Sequence, residues 1–227
     1  SDIIGTTLKD LKNEKGDVLL DVDNKSLTHR PDMWGHFGIA REFATIFNSP
    51  LLNRFDHKWS ESLKSKFNTE KSPISPKIHG DCSALGYFGL SLSNITIAES
   101  PEWIKTRLSA VGLRPINNIV DISNYLMLEL GIPLHIFDRD LIEGSEITIK
   151  RLSSDETFTT LDEVERSLKS SDTIIADAKK PLVLAGIMGG QNSGVSDSTK
   201  NIFIEVANWK AAEVRKTSTR LGLRTDS

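Results

Sequence analysis

Between Pro115 and Asp138 the sequence sets polar side chains, His135 among them, in an apolar stretch where burial makes them costly. A neutral imidazole donates one hydrogen bond and accepts another, so His135 suits a polar ligand or a proton, although a lone histidine is more often a satisfied member of a core. Glu205 raises the same question. It is the one carboxyl in the run 201–207, and strand alternation puts it on the face of Phe203 and Ala207. A carboxyl buried there needs a hydrogen-bond donor or a raised pKa, and a buried salt bridge is the plainer alternative. A third run, 182–190, is an apolar strand followed by Gly186, Gly189 and Gly190. Glycine allows a close backbone approach, whose other party is either a ligand or a packed strand. No Gly-Lys-Ser/Thr follows, and the spacing is not that of a dinucleotide loop.

Other chemistries find no support. The sequence has no G-x-S-x-G elbow and no H-E-x-x-H pair, and its single cysteine, Cys82, has neither a partner for a disulfide nor a base beside it. With 28 Lys and Arg against 31 Asp and Glu, the net charge of −3 argues against a self-sufficient nucleic-acid binder, because such affinity comes mainly from cationic contacts to phosphates. The Lys210, Arg215, Lys216, Arg220 and Arg224 set reads chiefly as a solvated helix face. At 38% hydrophobic and 26% charged the composition is that of a soluble globular protein. No apolar run is long enough to span a bilayer and no signal sequence opens the chain, so no membrane contact and a cytoplasmic location are expected.

These candidates need elements to hold them. Asn124, Tyr125, Met127, Leu128 and Leu130 fit a short amphipathic helix stopped at Gly131, with Pro133 preventing its continuation and His135 emerging on an extended segment. Strands are expected at 18–22, 87–92, 146–151, 173–176, 182–185 and 202–206, with helices over 35–47, from Pro101 to about Val111, and over 211–220. The pieces at 155–157 and 161–163 read as strand and turn. The class is α+β, with mixed and antiparallel sheets and packed helices. Residues 1–52 form a first unit. Residues 53–80 read as a linker with at most one helix, broken by Ser72-Pro73 and Ser75-Pro76, and residues 81–227 form the main domain.

Taken in order, these runs resemble the editing module, B3/B4, of the beta subunit of bacterial phenylalanyl-tRNA synthetase. The resemblance rests on Gly112-Leu113-Arg114-Pro115, Asp121-Ile122-Ser123-Asn124-Tyr125, Pro133 through Asp138, Ala185 through Gly190, Ile204-Glu205 and Leu221 through Asp226. An earlier piece, His29-Arg30-Pro31-Asp32-Met33-Trp34-Gly35, resembles the segment that precedes this module. The resemblance implies hydrolysis of mischarged Tyr-tRNA(Phe) by water attack, with His135, Arg114 and Thr225 as the catalytic set. Glu205 would bind the tyrosine hydroxyl as a carboxylate, and Ala185, Gly186 and Gly189 would wall the pocket. His135, Glu205 and Gly189 are expected to line one concave pocket. Ser227 stands where the family commonly has alanine.

The same resemblance implies an alpha subunit as partner in an alpha2-beta2 heterotetramer, with the tRNA(Phe) 3′ end and tyrosine as ligands. ATP and Mg2+ are expected only for the whole synthetase, since this segment carries no motif for adenylate formation; no cofactor or metal is expected here. The competing expectation is a non-catalytic structural and tRNA-binding module of that assembly.

Overall fold

Apolar residues recurring at every second position build two facing sheets. The computed structural model describes residue 19, residues 22–67 and residues 71–225. Strands β1 (Ser75–Ile78), β4 (Glu146–Arg151), β7 (Thr173–Ala176), β8 (Pro181–Leu184) and β9 (Met188–Gly189) form a sheet in the order β1-β4-β7-β8-β9. A second sheet has the order β2-β10-β3, from β2 (Ala84–Leu92), β10 (Ile202–Trp209) and β3 (His135–Asp138). Strands β5 (Glu156–Thr159) and β6 (Glu165–Leu168) make a hairpin. The β1–β4 pair is parallel and the other named pairs are antiparallel, so the class is α+β with a mixed sheet.

The five-stranded sheet is covered on both faces. On one, Ile147, Ile149, Ile175 and Val183 pack with Phe137 and Phe203 of the smaller sheet. On the other, Ile174, Ala176 and Leu184 pack with Phe158, Leu168 and Leu223, which brings in the hairpin and the end of helix α5 (Ala211–Leu221). Burying an Ile or Phe side chain of this kind is worth about 1.5–3 kcal/mol, so the contact between sheets is the main fixture of the fold.

The other helices are α1 (His36–Ile46), α2 (His57–Lys64), α3 (Glu102–Ala110) and α4 (Asn118–Leu130). Helix α4 begins at Asn118 rather than near Asn124. The Asn117 side chain caps it by accepting from the backbone N–H groups of Ile119 and Val120 at 3.1 and 3.0 Å, and Gly131 ends it at φ 72°. Asp121 of the Asp-Ile-Ser-Asn motif is fully buried and accepts from Ser100 Oγ at 2.5 Å and from the Ile116 N–H at 2.8 Å. Its task is to tie the loop before α4 to the start of α3.

The His29-to-Gly35 motif seats α1 on α4. Arg30 grips Asp32 with two nitrogens at 2.9 Å and reaches Glu42 at 3.2 Å. His36 Nδ1 lies 2.9 Å from the Leu128 carbonyl oxygen, and any Cβ at Gly35 would stand 2.3 Å from the Gly131 nitrogen. Most of the strand expected at 18–22 falls outside the described residues, as does Ser227. Within the expected linker, α2 is present, but Pro76 does not break regular structure. It pairs opposite Ile147 in β1, the edge strand of its sheet, where a missing N–H need not interrupt a ladder.

Candidate functional site

Register decides which side chains meet. Glu205 stands opposite His135 on one neighbouring strand and opposite Gly89 on the other; Phe203 stands opposite Phe137 and Ser91, and Ala207 opposite Tyr87. Opposed residues of antiparallel strands share a face. His135, Phe137, Phe203, Glu205 and Tyr87 therefore all look toward the larger sheet. There a matching row runs through Ile149, Ile175, Val183 and Gly189, each opposite the next. Its last member meets the imidazole: a Cβ at Gly189 would stand 2.4 Å from His135 Cε1 and 3.2 Å from Nε2.

The two polar groups at this junction are both displaced from their ordinary titration. Nε2 of His135 is buried without a hydrogen-bond partner among the described residues, its ring lies edge-on to Phe137 at 4.4 Å, and burial lowers its pKa to about 4. The ring is neutral at pH 7. Glu205 is 5% exposed and accepts a hydrogen bond from the Tyr87 hydroxyl at 3.1 Å. Burial raises its pKa to about 8 against the opposing pull of that bond, and burial, then the Glu205 charge, raises that of Tyr87. No cation contributes to the Glu205 shift, so the buried salt bridge is not realised. Burial thus favours the neutral acid over the carboxylate that the resemblance implies. The protonated acid keeps a carbonyl oxygen as acceptor and adds an O–H donor.

The remaining candidates gather at the turn between β8 and β9, except one. Ala185 is buried and donates its N–H to the Thr173 carbonyl at 3.1 Å. Gly186 has φ 68°, and a Cβ there would stand 2.9 Å from Trp209 Cδ1, at the end of β10. The Thr225 hydroxyl donates to the Ile187 carbonyl at 3.0 Å, which returns the chain after α5 to the same turn. Arg114 stands exposed in the connection between α3 and α4, and no hydrogen bond or ion pair joins it to the others among the described residues.

His135, Glu205 and Gly189 converge as expected of one site, with Gly189 against the ring and Nε2 buried, while the His135 side chain as a whole is only half-buried. A core histidine would be enclosed with both nitrogens paired; this one is half-buried and its Nε2 has no partner among the described residues. Two cavities, of about 500 and 590 Å³, lie along α1, α3 and α4 around His36, Val111 and Leu128. Among the described residues no group of three or more His, Cys, Asp or Glu is placed to hold a metal ion. Tyr87 is the site residue that sequence reasoning missed. Its signal was the alternation that sets Tyr87 and Gly89 on one face of β2, which says nothing of which β10 residue they meet.

The two shifts oppose each other in stability. A carboxyl raised from 4.5 to about 8 costs stability as pH climbs through that window, and an imidazole lowered from 6.5 to about 4 costs stability as pH falls through its own. They cancel between pH 4.5 and 6.5, leaving Glu205 alone above it. Urea unfolding is expected to show a loss of about 2 kcal/mol from pH 6.5 to 8. In Glu205→Gln that loss should vanish while a rise between pH 4 and 6.5 emerges; an unaltered slope in the variant would mean that Glu205 is not the group responsible.

The B3/4 domain family matches residues 83–227. Among curated relatives, the phenylalanine–tRNA ligase beta subunit of Solibacter usitatus is 41% identical over 216 residues, which is 93% of this chain and 26% of that protein. The beta subunit of Leptospira biflexa is 42% identical over 214 residues, 93% of this chain and 26% of that one, and that of Fusobacterium nucleatum 41% over 228, 99% and 27%. The chain spans about a quarter of the length of these relatives. A solved N-terminal fragment of the phenylalanyl-tRNA synthetase beta subunit from Pyrococcus horikoshii aligns over 88% of this chain and 60% of its own, with 21% identity and a TM-score of 0.44.

Proposed function

Since the chain belongs to the B3/4 domain family, we propose that it is the editing segment of a phenylalanyl-tRNA synthetase beta subunit and hydrolyses the ester of Tyr-tRNA(Phe). The need for it is energetic. Tyrosine is phenylalanine plus one hydroxyl, and an apolar synthetic pocket rejects an added hydroxyl by only about a hundredfold. A second site that hydrogen-bonds the hydroxyl has the easier task, because phenylalanine would leave a buried polar group unpaired at a cost of about 1–3 kcal/mol.

One observation carries the reading. Glu205, buried among apolar side chains, already takes a phenolic hydroxyl as its partner, that of Tyr87 at 3.1 Å. A tyrosine substrate brings the same group. Ala185, Gly186 and Gly189 wall the amino acid, Thr225 braces that wall through Ile187, and Arg114 holds the ester end or a phosphate. The neutral His135 ring orients the attacking water or the ribose through Nε2, after leaving its resting place on Gly189 to admit the substrate. Attack by positioned water on a labile ester needs no covalent intermediate. The proposal includes an alpha subunit in an alpha2-beta2 assembly, the tRNA(Phe) 3′ end as ligand, ATP and Mg2+ at an aminoacylation site elsewhere in the enzyme, and a cytoplasmic setting. This segment itself does not charge tRNA. Residues 1–52, 53–80 and 81–227 stand in this reading as the end of a preceding domain, a linker and the editing domain.

The close packing of His135 on Gly189 favours a second reading, a structural and tRNA-binding module with no hydrolysis. Deacylation of Tyr-tRNA and Phe-tRNA, by this chain and by the full heterotetramer, separates the two. Preferential clearing of Tyr-tRNA is expected, and its absence from both preparations removes the editing reading. His135→Ala should slow clearing by about 10- to 100-fold with the melting temperature nearly unchanged. A merely structural histidine would instead reveal itself as a loss of about 1–3 kcal/mol of stability at constant rate.

A further inference from the structure

Tyr87 belongs to neither the candidate set nor the core in any simple sense. Its ring packs at the border of the cluster formed by Phe137, Phe203, Ile147 and Ile149, while its hydroxyl leaves that cluster to reach Glu205 Oε2. Tyr87 is opposite Ala207, two pairs along from Glu205 and on the same face, so it approaches the carboxyl diagonally. The residue directly opposite Glu205 is Gly89, and a Cβ there would stand 2.1 Å from Phe203 Cζ. With the Phe203 ring filling the place of a side chain at 89, the carboxyl is bounded by aromatic carbon on one side and held by a phenol on another.

We infer that Tyr87 is the positioning residue that sets the tyrosine specificity of this site. By occupying Oε2 it fixes the rotation of the carboxyl and leaves Oε1 as the oxygen offered to a second phenol, that of the substrate. This rests on the editing reading above. A different role for the same contact is that Tyr87 competes with the substrate and must withdraw. Its ring packs against the core between the sheets and its backbone lies within β2 opposite Ala207 of β10, which argues against withdrawal.

The experiment is steady-state deacylation of Tyr-tRNA and Phe-tRNA by the full-length beta subunit assembled with its alpha subunit, comparing parent, Tyr87→Phe, Glu205→Gln and the double variant. Tyr87→Phe keeps the ring and removes the hydroxyl alone. It is expected to raise KM for Tyr-tRNA by about five- to tenfold and to lower the Tyr/Phe selectivity by as much, with kcat unchanged. Because Tyr87 acts through Glu205, adding Tyr87→Phe to Glu205→Gln should change selectivity no further. Unchanged KM and selectivity in Tyr87→Phe overturns the inference, a lowered KM replaces it by competition, and full additivity in the double variant overturns it as well. A parent that clears no Tyr-tRNA fails before any variant is compared, and takes both the editing reading and this inference with it. Should Tyr87→Phe lose its cooperative melt, Tyr87→Trp serves as the second ring-bearing variant without a phenol and is held to the same KM criterion.

Discussion

Glu205→Ala is expected to lower clearing of Tyr-tRNA by about 5- to 150-fold and to leave the slow clearing of Phe-tRNA where it was, so that selectivity collapses from the tyrosine side. The magnitude is that of one hydrogen bond between buried groups, about 1–3 kcal/mol, with each 1.4 kcal/mol a factor of ten. Stability moves less than burial alone suggests. Removing the carboxyl strands the Tyr87 hydroxyl, at a cost, but also removes a group whose charged form is so disfavoured that its pKa stands near 8. Those two effects oppose each other near neutral pH, and the cooperative melt should survive. Parallel deacylation of the two charged tRNAs by parent and variant decides it: if the variant still clears Tyr-tRNA with the parent's selectivity, Glu205 does not recognise the phenol.

The junction of His135, Glu205 and Gly189 was legible in the chain for a physical reason. Each is a residue whose type conflicts with its surroundings, a titratable group in an apolar strand or glycine where a side chain would strengthen one, and such conflicts survive without knowledge of the fold. What the sequence did not hold was distance. Tyr87 reaches Glu205 only through the β2–β10 register, and register is fixed by packing across two sheets rather than by any local pattern. Helix α4 shows the same limit in another form. The amphipathic set starts at Asn124, whereas the helix begins at Asn118 because Asn117 caps it and Asp121 is held by Ser100 and the Ile116 N–H, polar contacts that a hydrophobic period does not report. Pro76 misled in the opposite direction. Proline breaks a central strand, but β1 lies at an edge, and edge or centre is a property of the finished sheet. The close approach of Gly189 to His135 across the two sheets was equally out of reach, a meeting of residues separated by more than fifty positions.

Gly189→Trp is expected to abolish clearing of Tyr-tRNA, and the smaller Gly189→Ala shows why. Even one methyl group at this position would stand 2.4 Å from His135 Cε1 and 3.0 Å from Leu161 Cδ1, so the imidazole must move for alanine to fit. Leu161 can turn its half-exposed side chain aside, although its N–H ties its backbone to the Gly189 carbonyl at 2.9 Å, so the imidazole is the contact that decides. Overpacking of this kind costs about 1–3 kcal/mol, and the indole adds bulk where the substrate's ring is proposed to lie. Loss of activity by itself does not tell a blocked pocket from a distorted fold, and the difference lies in the coupling between positions 189 and 135. If the ring is what alanine strikes, His135→Ala should relieve it, and the Gly189→Ala, His135→Ala pair should be more stable than the sum of the single changes by about 0.5–3 kcal/mol. Urea melts of the four proteins measure that term, and deacylation of Tyr-tRNA by Gly189→Trp measures the other. Retained clearing in the tryptophan variant would move the amino acid's binding place away from β9, whereas strict additivity of the two alanine changes would mean that His135 and Gly189 do not press on each other in solution.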